Sequence, residues 1–418
     1  MILTGLLLLV LALAGAPLFA IIAASALLGF ARGGVDPMVV VGEFFRIADM
    51  PVLLAIPLFT FAGYLLSESG APKRLVRLSN ALLSWLPGGL ALVTLVTCAL
   101  FTAFTGASGV TIVAIGALLY PALQQAGYEE RFTLGLLTTG GSLGLLFPPS
   151  LPLILYGVVA GTNVDRLFLA GVLPGIAMVL LLGVWCVHRG RRIQRPATFS
   201  FREAGAALAA AAWELPLPVL VLGGVYSGLF AVSEVAAVTA LYVTVVEVGV
   251  HREVTWRQLP AVMRESAVLV GGILVILGAS LASTNYLIDA QVPEKLFAFV
   301  TTHVTSKFTF LVVLNLFLLV LGMILDIFSA VVIVVPLVLP LAAGYGIDPL
   351  HLGMIFLANM QIGYSTPPVG MNLFIASYRF GKPVLELYRA SLPFVALLLL
   401  AVLLITYVPA LSLLLVGK

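Results

Sequence analysis

Charge is what this sequence has least of. Only 9% of its 418 residues are Asp, Glu, Lys or Arg, and 61% are hydrophobic. Soluble domains carry about 25% charged residues, and polar surface this sparse cannot cover a water-soluble globule. The net charge of +3 is too small to point to a nucleic-acid partner. Cysteine is nearly absent: Cys98 and Cys186 both sit in apolar runs, which excludes a disulfide framework and supports no metal site. The four histidines, at 188, 251, 303 and 351, are too scattered to form a ligand cluster. No nucleophile–base pair appears, so no enzyme is expected. The first 30 residues lack a charged leading region and run past any plausible cleavage site, which reads as a retained membrane segment rather than a signal peptide.

What is present is a succession of apolar stretches of about 20 residues, each long enough to cross a hydrocarbon core. They fall at 2–30, 51–69, 88–121, 130–160, 165–188, 214–230, 231–250, 266–289, 308–340, 350–378 and 390–414. Pro17 lies within the first, and a break there leaves the N-terminus free to face either side. Arg189, Arg191, Arg192, Arg195 and Arg202 form the densest basic run, which the positive-inside rule places in the cytoplasm. Arg252, Arg257 and Arg264, two spans later, agree. The stretches 88–121 and 308–340 are too long for one crossing, and as pairs of spans they give helices of only about 15 residues. Read as re-entrant hairpins, they put Lys73, Arg74, Arg77, Arg379, Lys382 and Arg389 inside, and Lys295 and Lys307 outside.

A repeat runs through the same regions. At an offset of 219 positions Pro121 meets Pro340, Gly127 meets Gly346, Gly144 meets Gly363, and Pro148-Pro149 meets Pro367-Pro368, without a gap. The charge count gives the two copies opposite orientations, the plan of many secondary transporters. The expected fold class is therefore an all-α polytopic membrane protein with two inverted repeats, re-entrant hairpins and broken helices. The expected organisation is an N-terminal span and interfacial arm over 1–50, and a first repeat over 51–188 with hairpin 88–121 and broken helix 130–160. An Arg-rich cytoplasmic loop with two scaffold spans follows over 189–265. The second repeat covers 266–414, with hairpin 308–340 and broken helix 350–378.

Two adjacent prolines in an apolar segment remove two amide donors and clash with preceding carbonyls, so the helix must open. In lipid, opened backbone is tolerated only where protein buries it or it lines a cavity. The freed carbonyls suit a cation, and the N-terminus of the next half-helix attracts an anion. A single proline kink is the plainer reading of one such break; two pairs in symmetry-related places favour paired sites. The run Thr102–Thr111 is a polar, small-residue turn midway along its hairpin, with Gly106 and Gly109 allowing a tight tip and Ser108 offering an oxygen. Packing through small residues is the alternative there. The corresponding place in the second hairpin holds Asp326 and Ser329. An intramembrane carboxylate is by default a functional candidate, unless the amides of its own turn satisfy it. Glu214, Glu234 and Glu247 read as scaffold polarity, and Trp85, Trp213 and Trp256 as interfacial anchors. No arginine is expected deep in the core, so an anionic cargo would be held by half-helix dipoles, hydroxyls and a nearby cation.

With those residues in view, the chain resembles the large membrane subunit (DctM-like) of the tripartite ATP-independent periplasmic (TRAP) transporters. The likeness rests on Gly140–Gly161 with its Pro-Pro-Ser, on Leu167–Gly175, and on Gly346–Phe374 with Thr366-Pro367-Pro368-Val369-Gly370. It implies an elevator-type transport domain moving against a scaffold, coupled to inward sodium, in a bacterial inner membrane. It also implies a small membrane subunit, a periplasmic substrate-binding protein, and a carboxylate cargo such as a C4-dicarboxylate or a sialic acid. Carried over, one sodium site involves Gly106, Ser108, Gly144 and Pro148, and the other Asp326, Gly363 and Thr366. Ser150, Ser329, Pro367 and Asn372 are the expected cargo contacts, and no organic cofactor is expected. The family often has two serines after the tip glycine; Ala107 replaces the first here, which leaves that site to Ser108 and backbone carbonyls. Two other readings stay open: a stand-alone divalent-anion:sodium symporter, and an ion-conducting subunit of a membrane enzyme complex. The latter would need lysines and glutamates spaced along mid-membrane helices.

Overall fold

The computed structural model describes residues 7–417 apart from 9, 12, 13, 192 and 194–197. Arg192 and Arg195 of the basic run, and part of the first apolar stretch, lie outside the described residues. The described residues form helices and no strand, and eight of the helices are long and apolar enough to cross a membrane. The first stretch is not one span. Its chain turns at Ala14–Gly15, and a new helix, Leu18–Gly33, starts directly after Pro17, whose ring cannot continue a helix from the preceding turn.

The repeat is written in the helix boundaries. The second hairpin arms, Ser108–Gln125 and Ile327–Gly344, begin 219 residues apart, as do Glu130–Gly140 and Pro349–Gly363. Turns at Gly127 (φ 86°) and Gly346 (φ 66°) join these elements, a left-handed backbone that favours glycine. Each crossing segment opens at its proline pair. Glu130–Gly140 and a short 3-10 turn give way to Leu151–Ala160; Pro349–Gly363 gives way to Met371–Phe380. Both Pro-Pro bonds are cis. The half-helices after the breaks have ten residues, about 15 Å, which is half of a hydrocarbon core of about 30 Å. The breaks therefore lie near mid-membrane.

The repeats are laced together. The second arm of each hairpin packs on the post-break half-helix of the other repeat: Ser108–Gln125 on Met371–Phe380, and Ile327–Gly344 on Leu151–Ala160. Hairpin arms are 17 or 18 residues long rather than about 15, enough by length alone to cross. Their tips nonetheless touch the mid-membrane breaks, which makes the hairpins re-entrant. Beside this core, Ala55–Glu68 packs on both Val232–Thr244 and the 31-residue Leu259–Asp289, and Leu259–Asp289 packs in turn on the hairpin arm Ile327–Gly344.

One polar cluster joins the connector helix Ala71–Leu83 to these scaffold segments. Glu214 and Glu247 are buried, and with Glu253 they surround Arg74 of that helix. The Arg74 guanidinium lies 3.2 Å from Glu247 and 2.7 Å from Glu253 and also bonds Glu214. The Arg74 side chain is only 13% exposed, and the acids supply the counter-charge that makes this burial tolerable. Burial pushes the Glu253 carboxyl up, but Arg74 and the Gly70 amide together hold it below its ordinary value.

Candidate functional site

The first hairpin turns at Gly106 (φ 64°) between Gly89–Thr105 and Ser108–Gln125. No side chain fits at that turn, because a Cβ would stand 2.5 Å from Leu151 Cγ, on the first residue after the first break. The break itself presses on the hairpin. At Gly144 a Cβ would stand 2.3 Å from the Ala99 carbonyl oxygen and 2.4 Å from the Ala103 nitrogen. Thr102 Oγ1 lies 2.6 Å from Thr111 Oγ1 across the arms and donates to the Gly141 carbonyl at 2.7 Å. Ser108 then reaches the other repeat: its Oγ donates to Asn372 Oδ1 at 2.7 Å, and Asn372 Nδ2 donates to the Thr138 carbonyl at 3.4 Å. The first tip is thus wedged between its own break and the half-helix after the second.

The second tip is built on an acid. Asp326 caps Ile327–Gly344: Oδ1 accepts from the Phe328 and Ser329 amides at 3.0 Å, and Oδ2 accepts from Ser329 Oγ. The Ile327 amide donates to Tyr364 Oη at 2.5 Å, and the Gly370 amide to the Met323 carbonyl at 3.2 Å, which ties this tip to the second break. At Gly363 a Cβ would meet the Gly322 carbonyl carbon at 2.4 Å, the symmetry counterpart of Gly144 against Ala103.

Each expected residue has a definite place. Gly106, Ser108 and Gly144 gather at the first junction, and Asp326, Gly363 and Thr366 at the second. Pro148 is half-buried, whereas Pro367 is exposed. Thr366 Oγ1 donates to the Gly363 carbonyl at 2.8 Å. Ser150 donates to the Leu145 carbonyl and Ser329 to Asp326, so both hydroxyls are engaged locally, and Asn372 is fully buried. Sequence reasoning missed Tyr364 and a polar triad beside the second junction. There Asn315 Oδ1 accepts from Asn359 Nδ2 at 2.7 Å and from Thr406 Oγ1 at 3.1 Å. Asn315 interrupts the apolar run Leu314-Asn315-Leu316, a signal of the same kind that drew notice to Asp326. Among the described residues, Asn359 Oδ1, Gln361 Oε1 and Ser365 Oγ are buried oxygens without a hydrogen-bond partner.

Two hairpins meeting two opened helices at mid-membrane make a carrier architecture, and comparison decides which. Residues 5–411 match the family model described as the DctM component of the tripartite ATP-independent periplasmic transporter. The chain belongs to that family. It is 36% identical over 373 residues to a C4-dicarboxylate TRAP transporter large permease protein, DctM, of Pseudomonas aeruginosa, covering 89% of this chain and 87% of that one. It is 33% identical to an isethionate TRAP transporter permease protein, DctMQ, of Oleidesulfovibrio alaskensis, covering 90% of this chain and 59% of that longer protein. The fold is similar to the crystal structure of the Alcanivorax borkumensis YdaH transporter, with a TM-score of 0.64 at 14% identity over 88% of this chain and 86% of that one. The protein is a multi-pass TRAP transporter large permease.

Proposed function

We propose that this large permease imports an organic acid across the bacterial inner membrane, driven by sodium and moving by an elevator mechanism. A periplasmic binding protein delivers the cargo, and a small membrane subunit completes the permease. The single observation that carries this reading is the laced junction at mid-membrane. Backbone carbonyls freed at the two breaks and the Asp326 carboxylate at the second tip supply oxygens of the kind a hard cation takes. Half-helix N-termini at Leu151 and Met371 supply positive potential for a carboxylate.

The relatives' names support anionic cargo, a dicarboxylate in one and isethionate in the other. The fused name DctMQ supports a second membrane component working with the large permease. Swapped packing between repeats favours rigid-body motion of the core, because each hairpin is held by the other repeat's half-helix. The test is uptake of labelled dicarboxylate by proteoliposomes holding this chain with its small subunit, under an inward sodium gradient. Uptake is expected only when the binding protein is added. Equal uptake without it overturns delivery by that partner.

A further inference from the structure

Helix Val164–Gly190 carries a feature that transport does not use. Between it and the outer arm Gly89–Thr105 runs an apolar groove with a cavity volume of about 500 Å3, walled by Leu92, Leu95, Val179, Leu180 and Val184. Its floor is Gly183, where a Cβ would lie 3.5 Å from Leu92 Cδ2. Leu180 and Val184 are 62% and 70% exposed, which is ordinary for a lipid-facing helix. What is not ordinary is how the groove ends. His188 and Arg191 close it on the cytoplasmic side. An adjoining cavity of about 270 Å3 shares His188, adds Arg189, and holds one acid, Glu129. The Trp185 ring stacks on His188 with centroids 5.9 Å apart and lies under the Arg189 guanidinium at 5.0 Å, marking headgroup depth.

The dimensions select the occupant. From Val179 to Arg191 the helix rises about 18 Å, comparable to the roughly 15 Å of hydrocarbon in one leaflet. We propose that the groove binds an anionic phospholipid of the cytoplasmic leaflet, its acyl chain along Leu92, Leu180 and Val184 and its phosphate on His188 and Arg191. A basic pocket between transmembrane helices on the cytoplasmic side is the setting in which acidic headgroups are recognised. A zwitterionic lipid matches the groove but brings its own headgroup cation to a basic end, and free phosphate leaves the groove empty. A bound lipid would also join the first hairpin's outer arm to helix Val164–Gly190 at the end from which the hairpin departs.

The test uses the full-length chain in nanodiscs containing equal phosphatidylglycerol and phosphatidylcholine, released for native mass spectrometry. Wild type should retain phosphatidylglycerol about fivefold over phosphatidylcholine for each basic contact. Arg191→Gln should reduce that preference about fivefold, and Gly183→Leu, which fills the floor, should remove both adducts. Equal retention of the two lipids by wild type, or a preference unchanged by Arg191→Gln, overturns the proposal. Inorganic phosphate that stabilises the chain against heat as well as phosphatidylglycerol does overturns the acyl-chain half. Crosslinking of a Val184→Cys variant to a second copy or a copurifying subunit in native membranes assigns the groove to protein instead.

Discussion

The two halves of the junction share one backbone plan and differ in chemistry. At the first tip, the residue preceding helix Ser108–Gln125 is Ala107, and no side chain caps that helix. At the second, the offset of 219 places Asp326 in the same position, and its carboxylate fills the helix end. The breaks differ in the opposite sense. Pro149 and Ser150 are buried, whereas Pro367, Pro368 and Val369 are exposed, Val369 by 42%. The second half thus carries a half-buried acid at its tip and exposed chain at its break; the first is uncapped and enclosed. An acid at one tip and an alanine at the other mean that symmetry of fold does not extend to symmetry of chemistry.

The largest expected effect probes what the halves share. Gly144→Ala and Gly363→Ala each drive a Cβ into backbone, at 2.3 Å and 2.4 Å, where no side chain can move aside. Both should abolish uptake and cost about 1–3 kcal/mol in thermal denaturation; tolerance of either breaks the claimed equivalence. Next comes the acid that separates them. Asp326→Ala should cost about 1 kcal/mol as a lost cap and reduce uptake at least ~tenfold. Asp326→Asn keeps an acceptor for the two amides, so stability should hold while the sodium concentration for half-maximal uptake rises. Ser108→Ala leaves Asn372 Oδ1 buried without its donor, for a cost of about 1–3 kcal/mol and reduced uptake. Ala107→Asp sharpens the contrast by writing the second tip into the first: it should add up to about 1 kcal/mol of stability yet slow uptake. Smallest of all, Glu247→Gln should leave uptake nearly unchanged, because Arg74 keeps Glu214 and Glu253.

Much of this comparison was legible in the sequence, and for identifiable reasons. Proline pairs and glycines report on backbone, and the backbone plan repeats, so Gly144 with Gly363 and Pro148 with Pro367 located both breaks. Length singled out the two hairpin segments, because 88–121 and 308–340 are too long for one crossing. Side-chain partnerships were not legible. That Ser108 bonds Asn372, 264 residues away, follows from the lacing of the repeats, which no local pattern encodes. The same holds for Arg74, whose three acids come from 140 to 179 residues further along the chain. Asp326 shows the limit plainly: the sequence offered both a functional acid and one satisfied by the amides of its own turn, and only the turn geometry shows those amides bonded to it. At the N-terminal stretch the sequence named Pro17 as a place where the span could break, and the new helix does start directly after it.

The central claim is that sodium drives this carrier through two chemically unequal half-sites. The most direct measurement is labelled dicarboxylate uptake, with binding protein and small subunit present, as external sodium is replaced by potassium at constant ionic strength. The account predicts uptake that rises with sodium, falls to background without it, and needs more sodium in Asp326→Asn. Uptake that is indifferent to the replacement would contradict it.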